Sequence, residues 1–97
     1  MGMKLIIAIV QDNDASDLID AVIDAGFRIT KLATTGGFLK SGNSTLLIGV
    51  EEKDVDQVIK VINYICESKK QIETETSKVK VGGATIFVVD VNKFIKI

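Results

Sequence analysis

The chain of 97 residues has no histidine, only one cysteine and only one arginine. Without histidine it lacks the side chain that most often serves as a general base or as a metal ligand. Cys66 cannot form an internal disulfide, and it falls on the apolar stripe of a predicted helix, where a buried structural thiol is expected rather than a nucleophile. The other side chains form no group suited to nucleophilic or acid–base catalysis. We therefore predict a protein that is not an enzyme and that has no metal site and no cofactor.

Long apolar runs and an excess of charge of one sign are also missing. The formal net charge is −1, so the chain has no excess of positive charge that would attract a nucleic-acid polymer or an anionic membrane surface. No apolar run reaches the roughly 20 residues of a membrane-spanning helix. Residues 5–10 are too few for the apolar part of a signal peptide. Together with the single cysteine, these features predict a cytoplasmic protein with one domain, residues 1–97.

Hydrophobic periodicity predicts four strands and two helices. The predicted strands are residues 4–11, 27–34, 45–50 and 84–91. Asp14 is a candidate N-cap of the first helix, and Gly26 stands where a glycine would end it. The polar residues 67–80 predict an exposed loop or a weak hairpin. The apolar stripes of the two helices are Ala15, Leu18, Ile19, Val22 and Ala25, then Val55, Val58, Ile59, Ile62 and Cys66.

The order β-α-β-β-α-β predicts an α+β, ferredoxin-like fold, in which an antiparallel sheet carries two helices on one face. The other face of such a sheet is normally polar. Here both sides of the strands are apolar, since Leu5, Ile7 and Ile9 alternate with residues that are equally apolar. A patch of that size indicates that other subunits cover the second face. The alternative is a small monomer with an unusually apolar surface.

The stretch from residue 27 to residue 49 gathers side chains and glycines that suit ligand binding. Arg28 offers a planar fork for a phosphate or a nucleobase face, and Phe38 can stack on a base. Gly36 and Gly37 allow backbone N–H groups to approach an anion closely. The spacing of these glycines matches neither a dinucleotide-binding fingerprint nor a phosphate-binding loop. The alternative is a glycine-rich turn with Phe38 folded back on the core.

Three segments carry a resemblance to a known family. They read KLIIAIVQD at residues 4–12, KLATTGGFL at residues 31–39 and VGGAT at residues 81–85. With these segments the chain resembles the PII-like cyclic di-AMP receptors over nearly its whole length except residues 67–80. The resemblance implies a ferredoxin-like protomer in a PII-like homotrimer, with the sheets lining the interior. It also implies one cyclic dinucleotide in each cleft between neighbouring subunits.

The resemblance also implies the ligand-binding residues. Phe38 and its two neighbours would form a loop wall beside an adenine, and Asn43 would contact the ligand from the following turn. Gly49 would leave room on the third strand, and Phe87 would be contributed by the neighbouring subunit. The full set is Arg28, Thr30, Gly37, Phe38, Leu39, Asn43, Gly49 and Phe87.

The chain departs from the family pattern in the segment after the second helix, which is short and has no proline, and in residues 94–97. We expect a receptor that binds cyclic di-AMP, changes the conformation of a loop and signals to a downstream protein partner. One alternative is a PII-type sensor of ATP or ADP. Another is a structural trimer that acts as a protein-interaction module without a nucleotide.

Overall fold

A four-stranded antiparallel sheet is the centre of the computed structural model, which describes residues 2–32, 42–68, 83–93, 95 and 97. A 3₁₀ turn at Glu52–Asp54 leads into the second helix. The strands and helices are β1 Met3–Gln11, α1 Asp12–Asp24, β2 Thr30–Lys31, β3 Asn43–Glu51, α2 Val55–Ser68 and β4 Ala84–Val91. None of the helices in this part of the chain is long and apolar enough to cross a membrane.

The strand order is β2-β3-β1-β4, and each neighbouring pair is antiparallel. This order and the element sequence confirm the predicted α+β, ferredoxin-like arrangement. β4 has the predicted bounds. β2 is shorter than predicted, because residues 27–29 are not in a strand and residues 33 and 34 lie outside the described ranges.

The start of α1 differs from the prediction. The helix begins at Asp12, directly after β1, with Gln11 in an extended conformation at the N-cap position. Asp14 is therefore not the N-cap, and it lies buried in the first turn with 3% of its surface exposed. The physical reason is a tertiary hydrogen bond. The Asp12 N–H, which a helix leaves without an internal partner, donates to the carbonyl oxygen of Gly42 at 2.8 Å.

The end of α1 confirms the role predicted for Gly26. Its φ is +98°, in the left-handed region that glycine adopts without a steric cost. The Gly26 N–H donates to the Ile23 carbonyl at 2.9 Å, and the Phe27 N–H donates to the Val22 carbonyl at 3.1 Å. These two bonds form the Schellman motif that ends many helices. They direct the chain back toward the sheet edge at β2.

The core lies between the two helices and one face of the sheet. Both predicted stripes point into it, and Cys66 is buried there, as predicted. Full burial of one such aliphatic side chain contributes about 1.5–3 kcal/mol. The buried apolar residues are Ile6, Ala8, Val10, Ala15, Leu18, Val22, Leu46, Ile48, Val50, Val58, Ile62 and Cys66.

The opposite face of the sheet, which we call the open face, is also apolar, as predicted. Residues directly opposite each other in an antiparallel pair share one face. The register therefore places the odd-numbered residues of β1, β3 and β4 on the open face. Phe87 and Val89 remain 51% and 41% exposed there. The apolar members of this face are Met3, Leu5, Ile7, Ile9, Leu47, Phe87, Val89 and Val91.

Candidate functional site

Arg28, Thr30 and Gly49 lie in one corner of the open face. Thr30 pairs with Leu47, and the hydrogen bond from the Leu32 N–H to the Thr45 carbonyl, at 2.9 Å, continues the same register. Residues 27–29 are not in a strand, but a continuation of that register by two residues would set Arg28 opposite Gly49. Opposite residues in an antiparallel pair have Cβ positions about 4.5–5.5 Å apart. Arg28 and Thr30 are both exposed, so their polar groups are available at this corner.

Gly49 is a glycine that the protomer does not require. Among the described residues, a Cβ built on it would meet nothing within 4 Å, and its φ is not in the left-handed region. A glycine inside a strand is destabilising by about 0.5–1 kcal/mol relative to alanine. The space above Gly49 is therefore open to a ligand or to a neighbouring chain, and it lies beside the position of Arg28.

Asn43 is held at the end of β3 by contacts on both of its sides. It pairs with Gln11, the last residue of β1. Before it, the carbonyl oxygen of Gly42 accepts the hydrogen bond from the Asp12 N–H at 2.8 Å. After it, the Ser44 hydroxyl donates to the Asp12 carboxylate at 2.5 Å. The Asn43 side chain borders an open, polar cleft of about 410 Å³, which is lined by Gln11, Asp12, Asn13, Gly42 and Asn43.

Phe87 lies at the other edge of the sheet. One row of paired residues crosses the open face from β4 to β2. In order, its members are Phe87, Ile7, Leu47 and Thr30. Three strand spacings separate Phe87 from Thr30, which is about 14 Å. Within one chain, Phe87 is therefore not part of the corner that holds Arg28 and Thr30.

Three of the residues implied by the resemblance, Gly37, Phe38 and Leu39, lie outside the described residues. The structure brings together three of the remaining five, Arg28, Thr30 and Gly49, on the β2 and β3 side of the sheet, whereas Asn43 lies six residues from Gly49 along β3, which is about 20 Å. It does not bring Phe87 to them.

Sequence reasoning missed the role of Asp12 and Ser44. The signal was present in the alternation of β3. Ser44 is two residues before Leu46 and therefore shares the helix-facing register of Leu46 and Ile48. A hydroxyl in that register is buried and needs a hydrogen-bond partner. The partner is Asp12, which follows the paired strand β1.

The ion pair between Lys4 and Asp90 lies at the other end of β1, away from Asn43. A hydrogen bond from Lys4 to the Asp90 carboxylate raises the pKa of Lys4, and the charges of Asp90 and Glu52 add to this effect. No cluster of metal-ligating side chains is found among the residues that the structure describes. The chemistry of the corner is therefore that of hydrogen bonding and of one guanidinium group.

Comparisons with known proteins agree with this fold. A family model described as cyclic-di-AMP receptor matches residues 3–97, and the chain belongs to this family. A functionally unknown protein from Pediococcus pentosaceus has 45% sequence identity and a TM-score of 0.76, with 100% of this chain and 99% of that chain covered.

Two more distant structures show the fold alone. Arabidopsis thaliana PII bound to citrate has 21% identity and a TM-score of 0.73, with 99% of this chain and 81% of that chain covered. A DUF3240 family protein from Shewanella baltica has 10% identity and a TM-score of 0.66, with coverages of 100% and 98%. The protomer is thus PII-like as well as ferredoxin-like.

Proposed function

We propose that the protein is a cytoplasmic receptor that binds cyclic di-AMP in the clefts between the subunits of a homotrimer. Binding changes the conformation of a loop, which transmits the signal to a protein partner. The observation that carries the proposal is the corner of the open face, where an exposed guanidinium, a threonine and a glycine with open space above it adjoin a large apolar surface. Membership of the cyclic-di-AMP receptor family supports the choice of ligand.

The contacts follow from the chemistry of the ligand, which has two adenines and two phosphates. The Arg28 guanidinium has no hydrogen bond to another described residue and can donate two parallel bonds to a phosphate. Thr30 and Asn43 lie about 13 Å apart along β3 and supply hydrogen bonds at separate points of the ligand. Gly37, Phe38 and Leu39 are proposed as the loop wall, with the Phe38 ring stacked on an adenine.

The assembly follows from the two edges of the open face. The β2 edge carries the polar corner, and the β4 edge carries the exposed Phe87 about 14 Å away. When two different edges of one protein meet head to tail, the contact is heterologous, and it forms a ring when the rotation between neighbouring chains closes. In such a ring the corner of one chain meets Phe87 of the next chain. The PII-like fold supports a ring of three.

The test is a thermal-shift and calorimetry screen with cyclic di-AMP, cyclic di-GMP, ATP and ADP. We expect cyclic di-AMP to bind at least about 100-fold more tightly than cyclic di-GMP, because a guanine edge leaves polar groups of the site without partners. Equal affinities for the two dinucleotides would show that the pocket does not read adenine. Tighter binding of ATP or ADP would favour a nucleotide sensor, and no binding at all would favour a protein-interaction module.

A further inference from the structure

We propose that Asp12 is a positioning residue for ligand binding, which holds Gly42 and Ser44 so that the intervening Asn43 side chain is presented on the open face. The proposal rests on the proposed function, in which Asn43 contacts the nucleotide. Asp12 itself is not proposed to touch the ligand.

Two hydrogen bonds from one residue surround Asn43. The Asp12 N–H donates to the carbonyl oxygen of Gly42 at 2.8 Å, and the Asp12 carboxylate accepts from the Ser44 hydroxyl at 2.5 Å. A hydrogen bond to a carboxylate is shorter and roughly twice as strong as one between neutral groups. The backbone bond fixes the residue before Asn43, and the side-chain bond fixes the residue after it.

The alternation of β3 transmits this restraint to Asn43. Successive side chains of a strand point to opposite faces, so Ser44 on the helix side requires Asn43 on the open side. A slip of one residue would exchange the two faces. β3 starts directly after Gly42, which has a φ of +93°. The bond to Asp12 fixes the register where the strand begins.

The burial of Ser44 is the second observation that needs an explanation. Only 2% of its surface is exposed, and it lies in the register of the core residues Leu46 and Ile48. An apolar residue would fill this place without a hydrogen-bond partner. The hydroxyl therefore serves the contact with Asp12. The cleft between Asp12 and Asn43 shows that the two residues border the same polar space.

The experiment compares Ser44→Ala and Asp12→Asn in the wild-type chain and in a chain with Asn43→Ala, with calorimetric titration of cyclic di-AMP as the readout. Ser44→Ala should weaken binding about tenfold, the scale expected for a lost bond to a charged group. Asp12→Asn keeps the shape of the side chain and leaves a weaker acceptor, so it should weaken binding less than Ser44→Ala does. In the Asn43→Ala background neither change should weaken binding further, because the side chain that they orient is gone. Ser16→Ala and Asp20→Asn, at exposed positions of α1, are the matched controls.

Amide hydrogen exchange at Asp12 in the free protein provides a readout without ligand. We expect exchange at least about tenfold faster in Ser44→Ala than in Ser16→Ala, because opening of this contact exposes the Asp12 N–H. The proposal is wrong if Ser44→Ala binds cyclic di-AMP like the wild type. It is also wrong if the losses of affinity caused by Ser44→Ala and by Asn43→Ala add fully, because that would indicate a general effect on the fold. If the wild type does not bind cyclic di-AMP, the proposed function fails. The positioning of Asn43 is then decided by the exchange rates alone.

Discussion

At the scale of single residues, Arg28 is the group whose chemistry the protomer leaves unused. It is exposed, it is the only arginine of the chain, and it has no hydrogen bond to another described residue. An exposed arginine contributes little to stability. Its contribution should therefore appear in ligand binding.

Arg28→Ala should weaken the binding of cyclic di-AMP by about 10- to 150-fold, the usual effect of losing a charge-assisted hydrogen bond. Arg28→Lys should recover only part of the affinity, because an ammonium keeps the charge and loses the planar fork. Calorimetry measures both, and the melting temperature without ligand should hardly change. Wild-type affinity for Arg28→Ala would place the site elsewhere, and loss of the oligomer would make Arg28 an interface residue instead.

Gly49→Ala tests the open space beside Arg28. Since no described residue lies within 4 Å of the added Cβ, the free protein should gain up to about 0.5–1 kcal/mol of stability from the loss of glycine flexibility. Ligand binding should become weaker, because the methyl group occupies space proposed for the ligand. Urea unfolding and calorimetry would show these opposite effects. Unchanged affinity would contradict the placement of the ligand over Gly49.

At the scale of elements, two neighbouring hydroxyl groups of β3 lie on its opposite faces, and they have opposite effects on stability. Ser44 is bonded to Asp12, whereas the hydroxyl oxygen of Thr45 is buried without a hydrogen-bond partner in the described part of the chain. A buried polar atom without a partner costs about 1–3 kcal/mol. The substitutions that remove these two hydroxyls should therefore change the free energy of unfolding in opposite directions.

Ser44→Ala should lower the free energy of unfolding by about 0.5–1.5 kcal/mol, the usual net contribution of one hydrogen bond, because water can hydrate the exposed Asp12 instead. Thr45→Val, which replaces a hydroxyl by a methyl group of similar shape, should leave stability unchanged or raise it. Chemical denaturation measures the free energy of unfolding of both variants. A clear destabilisation by Thr45→Val would mean that its hydroxyl has a partner.

The elements also show what the sequence could predict. The periodicity of residues 84–91 predicted β4 without error, and Gly26 marked the end of α1, because both signals are local. The start of α1 was placed wrongly at Asp14, because the N–H of Asp12 is satisfied by Gly42 from a distant part of the chain. The same contact holds Asn43. Residue chemistry and the resemblance predicted Arg28, Thr30 and Gly49 as ligand-binding residues, but only the strand pairing could show that Phe87 lies at the opposite edge of the sheet.

At the scale of the whole molecule, the apolar open face is the feature that a single chain does not explain. Phe87 and Val89 are about half exposed, and they continue the apolar rows of the central strands. We expect light scattering during gel filtration to report about 31 kDa without ligand, three times the 10.5 kDa of one chain. A monomer at micromolar concentration would contradict both the trimer and a site between subunits.

Mixed trimers can test whether Phe87 and Arg28 of different chains meet in one cleft. Arg28→Ala and Phe87→Ala chains should each bind cyclic di-AMP weakly as pure trimers. After the two are unfolded and refolded together in equal amounts, roughly a quarter of the clefts should combine an intact corner with an intact Phe87, because each cleft of a ring takes one edge from each of two chains. Calorimetry should then recover near wild-type affinity at about that fraction of sites. If the two residues acted within the same chain, no mixed cleft would be intact and the mixture would bind as weakly as its components.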